Sequence, residues 1–287
     1  MLNEKELKTL REIQDVELKI LVELDRICKK YDIHYSLSGG TLLGAIRHRD
    51  FIPWDDDIDL DLKRRDFYRL IKILPEELGE DFDFVNYDEF GENFVDFIPR
   101  IFYNNCRVSN SFTLPGGEGN MANDPRMDTI FIELYCLHDT KSGVTVRLQS
   151  FLVRVIYGLS IPHRNGKKDK SDYSALQKAQ TAVLGAVGKH IKMRTLCNMY
   201  EKVVNMVKTD EGDMYFKPSV PLWVLDRNVF PKHWFDEFVR VPVREYMIMA
   251  PKKYLEILKS LYGDWKQLPP EDKRVPDHFK LDSVEIW

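Results

Sequence analysis

The chain has 287 residues, 44% hydrophobic and 31% charged, the balance of a globular protein that forms one large or two small domains around a sizeable core. Its 42 Lys and Arg stand against 46 Asp and Glu, a net charge of −4, which excludes a dedicated nucleic-acid binder held by bulk phosphate neutralisation. Cys28, Cys106, Cys136 and Cys197 form no C-x-x-C pair, which excludes a zinc ribbon or a disulfide framework and leaves reduced thiols as the expectation.

The first seven residues are charged from the fourth onward and lack the apolar core of a signal peptide, and no run approaches 18 uncharged apolar residues. A cytoplasmic protein that spans no membrane is therefore expected. Leu7, Leu10, Ile13, Val16, Ile20, Leu24, Ile27 and Tyr31 recur at steps of three and four, predicting an amphipathic helix from about 4 to 30. Tyr35-Ser36-Leu37-Ser38 alternates like a strand, runs into Gly39-Gly40-Thr41, and gives way to a helical stretch at 42–47.

After Pro53 a second strand is expected, in which Asp55, Asp57, Asp59 and Asp61 line one face and Ile58, Leu60 and Leu62 the other. Asp66 is placed to cap a helix through Leu74, ended by Pro75. Strand-like runs follow at about 82–87, 95–103 and 129–137; in the last, Glu133 shares a face with Phe131 and Tyr135. From about 144 to 208 the pattern is helical, with Leu148, Leu152, Val155, Ile156 and Leu159 on one stripe and a second segment at 173–208. A polar basic loop, 163–170, separates the two, and the region reads as a helical insertion. The tail returns to a strand at 239–243 and a helix at about 252–262, then ends in a Pro-rich charged stretch.

The chemistry concentrates in two adjacent segments. Crowded carboxylates at Asp55, Asp56, Asp57 and Asp59 repel one another, and a divalent cation relieves that repulsion; magnesium takes one or two carboxylates plus phosphate oxygens and water. A solvated acidic loop or a calcium site is the alternative for this segment alone. The glycine turn before it offers backbone amides at a helix N-terminus, where phosphate binds. Together they suggest a metal-bridged nucleotide diphosphate. Arg47, His48 and Arg65 are candidate phosphate contacts or surface ion pairs, and Asp55 is a third ligand or an orienting group. The helix at 148–159 with the basic loop either rests on an anionic membrane or packs on the protein core.

Ser38-Gly39-Gly40-Thr41-Leu42-Leu43-Gly44-Ala45-Ile46-Arg47-His48, followed by Asp50-Phe51-Ile52-Pro53-Trp54-Asp55-Asp56-Asp57-Ile58-Asp59, resembles the motif of the LicD family. The similarity continues at 131–137, where Glu133 stands in place of the family's usual aspartate, and at Tyr262-Gly263-Asp264-Trp265 with Leu268-Pro269-Pro270. The resemblance implies an α/β (α+β) nucleotidyltransferase-like fold, a mixed sheet flanked by helices, as one catalytic domain over 1–287 with the helical insertion at about 144–208. It further implies transfer of phosphocholine from CDP-choline to a sugar hydroxyl of a teichoic acid, a lipopolysaccharide or a related, possibly lipid-linked, glycan, with Mg2+ or Mn2+. Fukutin and fukutin-related proteins, which use CDP-ribitol, share these motifs, so other CDP-alcohols (ethanolamine, glycerol, ribitol) stand as alternative donors. On this reading Gly39, Gly40, Thr41, Arg47 and Arg65 hold the donor, Asp55, Asp57 and Asp59 the metal, and Glu133 is a base or a further ligand. A nucleotidyltransferase that releases pyrophosphate and a non-catalytic glycan binder are the competing classes.

Overall fold

Helix α1 (Glu4–Tyr31) opens with a capping box, in which the Asn3 side chain accepts from the Glu6 amide and the Glu6 carboxylate accepts from the Asn3 amide. Its expected stripe is buried at Leu10, Ile13, Val16, Ile20, Leu24 and Ile27, each such side chain contributing about 1.5–3 kcal/mol. Gln14, Glu17 and Asp25 share that buried face. The computed structural model describes residues 2–86, 97–110, 124–163, 174–218 and 228–287.

The main sheet runs in the order β1 (Ser36–Leu37), β2 (Asp59–Lys63), β6 (Phe131–Thr140), β4 (Arg100–Tyr103), β3 (Phe82–Val85). A short strand, β5 (Cys106–Arg107), lies between β4 and β6 in sequence. β7 (Met214–Phe216) pairs with the end of β6, and β8 (Val229–Pro231) with β7. β2 and β6 are parallel while their other neighbours are antiparallel, so the sheet is mixed, with α1 and α3 (Arg64–Glu77) packed against it. The fold is the α/β arrangement expected. The parallel pair sets Asp59 opposite Glu133 and Asp61 opposite Tyr135, and the antiparallel pair sets Arg100 opposite Glu133.

Several boundaries differ from expectation. The aspartate-rich strand begins at Asp59, because a turn bond from the Asp55 amide to the Ile52 carbonyl holds the preceding segment out of the ladder. Helix α2 (Gly39–His48) starts at Gly39, so the glycines form its first turn and not a connection before it. Helix α3 starts at Arg64, ahead of Asp66, and continues past Pro75 to Glu77. Central strand β6 extends to Thr140: His138, Asp139 and Thr140 read as polar but are buried, with Asp139 paired to Lys232 and His138 to Asn205.

Strand β4 is shorter than the 95–103 expected. Positions 87 and 95–96 lie outside the described residues. The helical region comprises α4 (Val144–Ser160), α5 (Ala175–Gly188) and α6 (Met193–Val204); residues 189–192 break the segment expected to be continuous, and most of the basic loop, 164–170, lies outside the described residues. The tail carries a hairpin, β9 (Phe238–Val243) with β10 (Tyr246–Pro251), of which the sequence indicated one arm, then α7 (Tyr254–Tyr262) and β11 (Glu285–Ile286) on β5.

Candidate active site

The chain leaves β1 and enters α2 across one residue, Ser38, and the helix opens on Gly39, whose φ of +49° is the left-handed region open to glycine. Carboxylates pack directly on this first helical turn. A Cβ on Gly40 would stand 2.7 Å from Asp55 Oδ2, and one on Gly39 would stand 3.2 Å from Asp59 Oδ2. Thr41 Oγ1 accepts from the Asp59 amide at 2.9 Å, and the Ser38 amide donates to the Asp59 carbonyl at 3.0 Å, fixing the start of β2 against α2. The glycines therefore admit this chain's own carboxylates to the positive end of the helix.

The acidic loop is held from below by Gln14, whose side-chain amide donates to the Asp55 carbonyl at 2.9 Å. Asp55 Oδ2 and Asp59 Oδ1 are buried without a hydrogen-bond donor. Burial, then the Asp56 and Asp59 charges, push the Asp55 pKa up to about 7. Burial, followed by Asp57, holds Asp59 well above the carboxylate range against the pull of Lys217, and burial followed by Asp55 raises Asp57, a quarter of whose side chain reaches solvent. Buried carboxylate oxygens that lack donors and repel one another are what a hard divalent cation would relieve, so Asp55 and Asp59, with Asp57 beside them, offer oxygen ligands that suit Mg2+ or Mn2+.

Glu17 joins this cluster from α1. It is fully buried, neither carboxylate oxygen has a donor, and burial followed by Asp57, Asp56 and Asp55 raises its pKa well above the ordinary 4.5. The unfolded carboxyl ionises near 4.5 and the folded one far higher, so the stability it contributes at low pH is lost as pH rises between those values. Glu17→Gln is expected to raise the thermal midpoint in EDTA, by a margin that widens from pH 5 to pH 8; differential scanning fluorimetry across that range checks it, and a constant or negative margin contradicts it.

On the neighbouring strand, Glu133 is nearly buried; Arg100 donates to its Oε1 at 2.5 Å and the Tyr135 hydroxyl to its Oε2 at 2.6 Å. Arg100 lies beneath the floor with its guanidinium 5.0 Å from the Phe131 ring centroid. Lys217, which directly follows β7, is also buried. Its ammonium donates to Ser38 Oγ at 2.7 Å, pairs with Asp61 at 3.2 Å, and lies 4.7 Å from the Tyr135 ring centroid.

The C-terminal segment closes the other side. Asp56 accepts from the amides of Asp277, His278 and Phe279 at 3.2, 3.1 and 2.8 Å, and His278 Nδ1 lies 3.3 Å from its Oδ1. Burial pulls the His278 pKa down, but the carboxylates of Asp277, Asp56 and Asp57 outweigh it and leave the imidazole well above its usual value. Asp56, Asp277 and His278 are, among the described residues, the trio whose ligand atoms lie within 4.8 Å of one another. Three backbone amides already fill Asp56, so this trio is a clamp for the C-terminal segment.

Arg47 reaches the same region. Its Nη1 donates to the Trp265 carbonyl at 3.0 Å, its Nε to His48 Nε2 at 2.9 Å, and its Nη2 is buried without a partner. Arg65 does not reach it. It follows the far end of β2, roughly 13 Å beyond Asp59 at the rise of a strand, and lines a separate 340 Å3 cavity with His34, Lys63 and Arg69. Phe131 packs edge-on against Phe102 and Phe279, so it belongs to the core, and the Arg274 guanidinium covers Trp54 at 5.5 Å.

The structure thus gathers Gly39, Gly40, Thr41, Arg47, Asp55, Asp57, Asp59 and Glu133, and separates Arg65. Glu17, Arg100 and Lys217 were missed: a lone charged residue in an apolar helix or strand has no motif, and only the register reveals its neighbours. The Tyr262 hydroxyl, 3.9 Å from the Cβ position of Gly39, lay in a stretch singled out only by resemblance.

Residues 32–103 match the model of the nucleotidyltransferase domain of LicD/FKTN/FKRP proteins. The lipopolysaccharide cholinephosphotransferase LicD of Haemophilus influenzae is 26% identical over 291 aligned residues, covering 95% of this chain and 97% of that protein. Shorter matches are to an uncharacterised protein of Rickettsia prowazekii, 40% identical over 21% of this chain and 24% of its own length, and to human ribitol 5-phosphate transferase FKRP, 45% identical over 16% of this chain and 10% of its own. The domain match falls on the segment that builds the glycine turn and the acidic loop, and the long alignment extends the likeness to a LicD protein over nearly the whole chain.

Proposed function

We propose that this chain transfers phosphocholine from CDP-choline to a sugar hydroxyl of a cell-surface glycan, a lipopolysaccharide or teichoic acid, with Mg2+ or Mn2+ held by Asp57 and Asp59. The observation that carries the reading is the donor-free pair of carboxylate oxygens, Asp55 Oδ2 and Asp59 Oδ1, packed on the first turn of α2 beside Glu133. Likeness to a cholinephosphotransferase over nearly the whole chain supports the choice of headgroup. The FKRP match supports ribitol phosphate as the second candidate.

A divalent cation, when bound, neutralises the diphosphate and stabilises CMP as the leaving group. The chain's own residues supply the positioning. Asp57 and Asp59 hold the cation, and Asp55, against Gly40, either adds a ligand or orients the loop. Amides of the Gly39-Gly40-Thr41 turn and the unpartnered Nη2 of Arg47 receive phosphate oxygens. Glu133 stands beside Asp59 with each oxygen already accepting one hydrogen bond, an arrangement that suits a fixed ligand or orienting group better than a base that must gain a proton. Lys217 sits under Ser38 and Asp61 and sets the local potential of the floor. Four free, buried cysteines suit a reducing compartment, and we place the reaction on the cytoplasmic side.

Thermal unfolding with CDP-choline, CDP-ethanolamine, CDP-glycerol and CDP-ribitol, each with Mg2+, tests the donor. CDP-choline at 100 times its dissociation constant should stabilise by about 2.7 kcal/mol, and its effect should vanish in EDTA. Protection by CTP but by none of the four would overturn the reading.

A further inference from the structure

We infer that helices α4 and α5 form a docking face for an anionic lipid surface. Val144, Leu148 and Phe151 recur at steps of four and three along α4 and are exposed, Val144 by 81% and Phe151 by 59%. Leu176, Val183 and Val187 form a second exposed stripe on α5, where Leu176 is 68% and Val183 65% exposed and Gly188 is the buried residue. Two neighbouring helices thus leave apolar stripes uncovered, beyond the scatter of single apolar residues normal on a protein surface.

Charge selects the occupant. Residues 144–200 contain ten Lys and Arg and two acidic residues, while the rest of the chain contains 32 and 44. Within the described part of that segment, Arg147, Lys178, Lys189 and Lys192 carry positive charge, and no Asp or Glu is among its described residues. Arg147 and Arg154 fall on the turns that carry Leu148 and Phe151. Apolar stripes bordered by cations, on a chain whose remainder is acidic, match a bilayer with anionic headgroups; a protein or nucleic-acid partner would explain one half of the pattern only.

The segment 144–163 is also, by length and composition, long and apolar enough to cross a membrane. Its other face argues for lying on the surface. Gln149, Ser150 and Ser160 are buried; Gln149 accepts from Thr140 and donates to the Val203 and Val204 carbonyls at 3.4 Å, and Tyr157 packs on Phe97. A spanning helix would have to abandon those bonds in hydrocarbon.

Docking is independent of the donor assignment, so it is tested without donor or acceptor. The full chain is sedimented with phosphatidylcholine vesicles with and without phosphatidylglycerol, at low and high salt. Binding should require phosphatidylglycerol and be released by salt. Phe151→Glu and Val183→Glu should each weaken it about tenfold or more, and Lys178→Glu with Lys189→Glu, which leaves the apolar stripes intact, should do likewise. Asp57→Asn should bind as wild type, which separates failure of docking from failure of catalysis. No binding of the wild type, equal binding to neutral vesicles, retention in high salt, or a dimer broken by Phe151→Glu while vesicle binding persists would each overturn the inference.

Discussion

Asp57→Asn and Asp59→Asn are each expected to lower transfer by about 10^3-fold or more while leaving the fold intact. The amide keeps the volume of the carboxylate but cannot hold the cation, and loss of that charge stabilisation is worth several kcal/mol, or at least three decades in rate. Neither residue supports the core. Asp59 contributes its backbone to Ser38 and Thr41, which an asparagine preserves, and Asp59 Oδ1 has no donor to lose. Since burial holds the Asp59 pKa well above its usual range, Asp59→Asn should also raise the thermal midpoint in EDTA at pH 8 and abolish the further rise that Mg2+ gives the wild type. Calorimetric titration with Mg2+ separates the two effects. Near-normal turnover of either purified variant would contradict the metal assignment.

Glu133→Gln is expected to lower turnover by roughly 100-fold, the scale of a lost acid–base or orienting group. It also leaves the buried Arg100 guanidinium facing a neutral amide. Breaking a buried pair costs about 3–5 kcal/mol when the partner is removed outright and less when an oxygen acceptor remains. Activity must therefore be read together with the unfolding midpoint. Glu133→Asp keeps the charge but draws the carboxylate back by one methylene from Arg100 and Tyr135, so it should retain measurable activity. Magnesium dependence divides the roles: a displaced ligand raises the Mg2+ concentration needed for half-maximal rate, and a lost base does not. An unchanged requirement at the reduced rate would favour the base, and wild-type rate with wild-type dependence would remove Glu133 from the site altogether.

What the sequence disclosed follows from which physical signals are local. The α1 stripe was legible because Leu10 to Ile27 repeat with helical period on a single buried face. The acidic loop was legible because four carboxylates in five positions need compensation wherever they fold. Its geometry was not: alternation suggested a strand from Asp55, yet the Asp56 carboxylate is drawn to the amides of 277–279, some 220 residues away in sequence, a bond no window along the chain can contain. The same holds for Lys217, brought to Ser38 by the pairing of β7 with β6, and for Arg100, brought to Glu133 by strand register. The sequence shows that Gly40 leaves room beside the helix N-terminus, and the structure adds that Asp55 lies where its Cβ would stand. Arg65 was assigned by proximity in sequence, and a strand of five residues carries it to the opposite end of the sheet.

The central claim, metal-dependent transfer of a phosphoalcohol with CMP as leaving group, is tested most directly by incubating the purified chain with CDP-choline, Mg2+ and a lipopolysaccharide or teichoic acid acceptor and identifying the products. CMP should appear in step with phosphocholine on the glycan, cease in EDTA, and be lost in Asp59→Asn. CMP release undiminished by EDTA, or pyrophosphate formed from CTP in place of CMP from CDP-choline, would contradict the account.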